Sequence, residues 1–189
     1  PFTDGARHAS ELVTAAMVFW LVGGKVAATA YLEDYVGATA VVHVRRAPAA
    51  LMVLWLAITA ARLVGLHDQS APRHITPRSD GTERLYSHLS AWLLAGAVGP
   101  LLVLLRPRAP WAFWLGFTLY GLGNGPCVGY CYDLTNRLTA ASETGMAVIM
   151  CGLNFGASLV PYTTTIMWED THMQQRALFV IVFISSVLP

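Results

Sequence analysis

The only lysine in this chain, Lys25, falls inside an otherwise uncharged apolar stretch running from about Leu12 to Tyr31. A charge at mid-bilayer costs about 2.5–3.5 kcal/mol on insertion scales, so a cation there needs a counterpart. It can pair with a carboxylate or carbonyl inside a bundle, or snorkel to the interface. Alternatively it faces a water-filled cavity and meets a solute. Its setting, Gly23-Gly24 before it and Ala27-Ala28-Thr29-Ala30-Tyr31 after it, offers small side chains that allow close helix approach or leave room for a ligand.

A second polar centre is Tyr120-Gly-Leu-Gly-Asn-Gly-Pro126, followed by Cys127, Tyr130, Cys131 and Asp133. Three glycines and a proline within this short run weaken a helix, and Pro126 removes a backbone hydrogen bond. Broken helices at membrane depth are tolerated where they line a cavity or are buried by neighbours. Asn124 is therefore either an amide presented to a polar solute or the polar member of a packing kink. The cluster follows no strand and sits in an apolar run, so it is no phosphate-binding loop. A third centre, Gly152-Leu-Asn-Phe-Gly-Ala-Ser158, leads into Pro161-Tyr-Thr-Thr-Thr165. Gly152 and Gly156 form a small-xxx-small pair, the usual sign of helix packing, with Asn154 expected close to the same contact. Hydroxyl-rich solutes need amides, phenols and an aromatic wall. Tyr31, Tyr120, Asn124, Tyr130 and Asn154 supply them, with Lys25 and Arg62 available for anionic groups. His8, His43, His67, His74, His88 and His172 sit in loops or at span ends and read as solvated. No Ser/His/Asp set or carboxylate pair shares one depth, so the sequence speaks against an enzyme and calls for no metal or cofactor.

Helices must position these residues in a membrane. Of the 189 residues 55% are apolar and 12% charged, about half the charge of a soluble domain. The mean hydropathy is +0.51. A net charge of +1 without clustered basic residues excludes a nucleic-acid partner. Cys127, Cys131 and Cys151 lie in apolar runs without disulfide or zinc spacing. A crossing helix needs about 20 apolar residues. Spans are expected over about 12–31, 49–66, 85–105, 111–132 and 144–167, with a final run over 177–189 that is too short to cross. The fold class is thus an all-α, multi-pass integral membrane protein, with residues 1–189 as a single six-helix transmembrane domain. The connection from His67 to Arg84 reads as an exposed loop, and the other connections as short. Arginines divide nearly evenly between the two sides, so charge leaves the orientation open. A start at Pro1 and a stop inside an apolar run lead us to expect a fragment.

The first and fourth spans look alike. Phe19-Trp-Leu-Val-Gly-Gly-Lys25 and Thr118-Leu-Tyr-Gly-Leu-Gly-Asn124 each place a glycine pair just before the most polar residue. Two inverted three-helix repeats, each led by a helix with a polar site, are the pattern of a transporter half. Phe19-Trp-Leu-Val-Gly-Gly-Lys25 with Tyr31-Leu-Glu-Asp-Tyr35 resembles the seventh helix of the fucose-permease and sodium-dependent glucose transporter branch of the major facilitator superfamily. Leu54-Trp-Leu-Ala-Ile-Thr-Ala-Ala-Arg-Leu-Val-Gly65 resembles its eighth helix. Gly121-Leu-Gly-Asn-Gly-Pro126, Thr139, Gly145, Gly152-Leu-Asn-Phe-Gly156 and Pro161 resemble its tenth and eleventh helices. The resemblance covers residues 12–168. It implies helices seven to twelve of a twelve-helix carrier, with the first and fourth spans lining a central cavity and a cytoplasmic N-terminus. A lysine stands where that branch has an acid or a neutral polar residue.

Two functions follow from this reading. One is the C-terminal half of a secondary active transporter moving a small polar, sugar-like solute by alternating access, partnered by an N-terminal six-helix half. The other is a transporter-derived structural subunit of a larger membrane complex, held by a partner membrane subunit. Lipid surrounds either one, and the sequence leaves open which membrane it occupies, a plasma membrane or that of an organelle.

Overall fold

The computed structural model describes residues 4–70, 78–139, 142–170 and 174–188. His74 and His172, to which the sequence reading refers, lie outside them, as do Pro72, Arg73, Pro77 and Pro189. The described residues form eight α-helices and one 3-10 turn, with no strand. The helices are α1 (Asp4–Ala30), α2 (Leu32–Thr39), α3 (Ala47–Ser70), α4 (Arg78–Leu105), α5 (Pro110–Asn124), α6 (Cys127–Thr139), α7 (Glu143–Asp170) and α8 (Gln174–Val187).

Each expected span carries helix, but among the described residues only four stretches are long and apolar enough to cross a bilayer. They are His8–Ala30, Val44–His67, Glu83–Leu105 and Glu143–Glu169. The expected fourth span is two helices of 15 and 13 residues, α5 and α6, divided at Gly125-Pro126. The last, α8, has 14 residues. Two connections depart from expectation. Residues between the first two spans form α2 and the turn Val44–Arg46 rather than a plain loop. The predicted loop from His67 to Arg84 is shortened because α3 runs on to Ser70 and α4 begins at Arg78. Polar helix ends can extend beyond the apolar window because water satisfies their side chains.

The helix α2 belongs to the fold. Its Leu32, Tyr35 and Val36 are buried, and the Tyr35 ring meets Phe179 edge-on at 4.7 Å. The chain leaves it through Ala40, whose φ of 48° is the one left-handed non-glycine conformation among the described residues. Ala40 N–H still donates to Val36 O at 3.0 Å, closing the helix end.

Small residues set the long-helix contacts. On α7, Gly152 lies against the Ala15 backbone and Gly156 against Phe19 O, so α1 and α7 run in close apposition. A Cβ on Gly123 of α5 would overlap the Gly96 backbone of α4. Close backbone approach compensates in a membrane, where apolar helices gain nothing from leaving lipid.

The core divides along the bundle. One cluster holds Ala27, Ala28, Tyr35, Phe113, Phe117, Tyr120, Leu178 and Phe179. The other holds Ala15, Val18, Leu21, Leu89, Cys127, Tyr130, Cys131 and Ile149. On α1 they are separated by residues 22–26, and along α5 and α6 by residues 121–126. The most polar residues of the first and fourth expected spans occupy that division.

Candidate functional site

Lys25 is held in place by α1, whose Gly23 abuts Val160 of α7 and whose Gly24 abuts Ser185 of α8. Because both flanking glycines lack a side chain, α7 and α8 close in around the lysine. Lys25 is 7% exposed, and its Nζ has no hydrogen-bond partner among the described residues. It therefore neither snorkels nor pairs with a carboxylate. Its titratable neighbours are the thiols of Cys127 and Cys131 and the guanidinium of Arg62.

Asn124 ends α5 beside the break. It is 1% exposed, its Nδ2 donates to Ser186 Oγ at 3.3 Å, and its Oδ1 is buried without a partner. The break is built locally. Gly125 N–H donates back to Gly121 O, the Cys127 thiol donates to Gly123 O at 3.0 Å, and Tyr130 N–H resumes the ladder to Pro126 O. Arg62, on α3, donates from Nε to Gly125 O at 3.3 Å, so a neighbouring helix supplies a donor to a carbonyl at the break. Tyr120, one turn before Asn124, has its buried hydroxyl beside the Gly24–Ser185 contact, with no hydrogen bond of good geometry among the described residues. A water-sized cavity of about 10 Å³ adjoins its ring, lined also by Ala28, Pro100, Phe117 and Val182.

Lys25, Tyr120, Asn124 and, from α3, Arg62 thus meet around the α5–α6 break, joined by Ser185 and Ser186. The remaining candidates are placed elsewhere. Tyr31 donates to Pro161 O at 3.3 Å and is bonded to Thr165 Oγ1, so it ties α1 to α7. Tyr130 is buried in the second core cluster, its hydroxyl close to Gly65 of α3. Asn154 is exposed, and its Nδ2 donates to Met150 O of its own helix at 2.9 Å. The expectation that it nears the Gly152–Gly156 contact fails for a geometric reason. Residues four apart share a face, and the residue midway between them points to the opposite one.

Several participants escaped the sequence reading. Ser185 and Ser186 are buried and reach the junction, and their signal was a polar pair in the last apolar run. Glu11 was placed just outside the first span, yet it is 3% exposed, accepting from Ser142 Oγ at 3.2 Å and lying 3.4 Å from His8 Nδ1. Thr14 and Thr135 share a buried hydroxyl contact of 2.6 Å between α1 and α6.

No protein-family model, curated protein or solved structure matches this chain.

Proposed function

We propose that this chain is half of a secondary active transporter for a small polar, sugar-like solute. It is built as two inverted three-helix repeats related to the C-terminal half of major facilitator carriers. One observation carries the reading: of the four buried side-chain polar atoms without hydrogen-bond partners among the described residues, three, Lys25 Nζ, Tyr120 Oη and Asn124 Oδ1, surround a helix break between two apolar cores, the fourth being Tyr35 Oη on α2. Orphaned buried polar groups are costly, and proteins retain them where a ligand or water completes them.

The packing supports the repeat. The first repeat is α1, α3 and α4; the second is α5–α6, α7 and α8. α1 packs on α7 and α8, while α5 packs on α3 and α4, and α4 packs on α8. Exchanging the two repeats leaves these contacts unchanged, although α7 also packs on α8 where α3 and α4 make little contact. Local contacts follow it as well. Gly23 faces α7 and Gly24 faces α8, whereas Gly121 faces α3 and Gly123 faces α4. Tyr31 follows Lys25 by the same spacing as Tyr130 follows Asn124, and the two phenols reach toward α7 and α3 respectively. In this arrangement the break and the lysine occupy corresponding positions of the two leading helices, as half-helix sites do in transporters with inverted repeats.

The partner in this reading is a second six-helix half seated against α3 and α7. Both expose large apolar and aromatic side chains, among them Trp55, Leu56, Phe155 and Tyr162. Counterflow of labelled sugars in proteoliposomes tests the function. Flux that disappears in Asn124→Leu while the variant remains folded is the expected result. A protein without flux that copurifies with a larger membrane assembly supports the structural-subunit alternative and ends the transporter reading.

A further inference from the structure

The junction contains positive charge without an acid to match it. Lys25 and Arg62 lie within electrostatic reach of one another, and Arg62 is bonded to the α5–α6 break at Gly125 O. Among the described residues no carboxylate is ion-paired with either. Of the acids on α1, α2 and α6, Glu33 and Asp34 are exposed on α2, Asp133 accepts from Arg137 Nε at 3.1 Å and Nη2 at 2.9 Å, and Glu11 is bonded to Ser142 and adjacent to His8. Arg62 is exposed, but Lys25 is a desolvated cation without a counter-ion, and that calls for an anion.

The other orphaned atoms narrow its chemistry. Asn124 Oδ1 only accepts hydrogen bonds, so a bare halide leaves it unsatisfied. The Tyr120 hydroxyl can donate or accept, and Ser185 and Ser186 already donate to Val182 O at 2.8 and 3.0 Å, leaving oxygen lone pairs at the junction. A ligand that completes the set carries a negative group for Lys25 and hydroxyl donors for Asn124 and the serines. We infer that the junction binds a hydroxylated carboxylate, such as a sugar acid or a short hydroxy acid, rather than a neutral sugar. The carboxylate is held by Lys25 and the hydroxyls by Asn124 and Tyr120. This deepens the transporter reading and rests on it for the direction of movement, but not for binding.

The test uses purified protein in neutral phosphatidylcholine liposomes, probed with sodium D-glucuronate, sodium L-lactate, D-glucose and sodium chloride. D-glucuronate and D-glucose share ring stereochemistry and differ in the carboxylate, so their contrast isolates the charge. D-glucuronate or L-lactate should raise the thermal midpoint, D-glucose should raise it less, and chloride should leave it unchanged. Lys25→Gln should weaken the anion by about thirtyfold or more, the usual cost of losing one member of a desolvated charge pair. Lys25→Arg should retain part of the response. Asn124→Asp places an acid at the junction, so it should raise the midpoint of the unliganded protein and abolish the response to D-glucuronate. This variant and the wild-type contrast decide the matter if Lys25→Gln does not fold. Equal protection by D-glucose and D-glucuronate overturns the inference. So does protection by chloride alone, a response to none of the probes, or an undiminished anion response in Lys25→Gln. Anion binding without flux upholds the site and removes the transport reading. Sugar flux without anion binding upholds transport and removes the site.

Discussion

Two ionisable side chains on α1 are equally sequestered and differently treated. Glu11, near the helix start, is enclosed by its own His8 and by Ser142, which also accepts from Gly145 N–H at 3.0 Å and caps α7. Just beyond, Thr14 is joined to Thr135. This end of the helix is a closed polar network linking α1, α6 and α7. Lys25 is buried to a similar degree and has no such network among the described residues. Burial alone therefore does not mark a functional group. A partnered charge is consistent with holding helices together, because its desolvation is offset by its own bonds. An unpartnered one is a standing cost that a structural role does not explain.

The contrast is open to direct attack. The largest expected effect is on Lys25→Ala. Uptake per folded molecule should fall to background while the thermal midpoint holds or rises, because the change removes a desolvated charge. Normal uptake with a lowered midpoint would place Lys25 in the same structural class as Glu11. Next in size is Gly123→Leu, which drives a side chain into the Gly96 backbone. Overpacking at a backbone contact should cost roughly 3 kcal/mol or more, seen as lost folded protein in detergent. If this variant keeps the wild-type midpoint, the close α4–α5 contact is not what orders the break.

Glu11→Leu should be milder. Leaving Ser142 with one bond fewer costs about 1–3 kcal/mol, and flux per folded molecule should be preserved. Abolished flux in a variant with an unchanged midpoint would make Glu11 part of the transport machinery and dissolve the comparison. The smallest effect is expected of Thr135→Val, which strands one hydroxyl but leaves Thr14 its bond to Ser10 O at 3.0 Å. A midpoint loss equivalent to about 1 kcal/mol is the expectation. A loss as large as that of Gly123→Leu would mean the two threonines hold α1 and α6 together.

The positions of the helices were largely legible beforehand, since apolar runs bounded by charge have few alternatives in a bilayer. The break at Gly125-Pro126 was legible for a local reason, a missing N–H beside residues that stabilise helix poorly. Where reading failed, it failed on direction and distance. Asn154 was assigned to the wrong face of α7 by a neighbour argument that helical periodicity does not allow. Glu11 fell outside the first span because it precedes the apolar run, although α7 begins against it. Nothing local to residues 31–47 announced α2, whose apolar face becomes useful only against other helices, among them Phe113 of α5 and Phe179 of α8.

By itself, then, the sequence determined that the chain is helical, membrane-compatible, interrupted in its fourth apolar run and equipped with one lysine at membrane depth. These follow from composition and from short-range rules of hydrogen bonding that operate within a few residues. Only the tertiary structure decided which polar atoms are satisfied. Tyr31 found Pro161 and Thr165, Asn124 found Ser186 with half its amide, and Lys25 found no partner among the described residues. A side chain's partners lie on other helices, far along the chain, and are fixed by which faces pack together. No local pattern encodes that outcome, and the division between satisfied and unsatisfied groups on which the proposed site rests arises there.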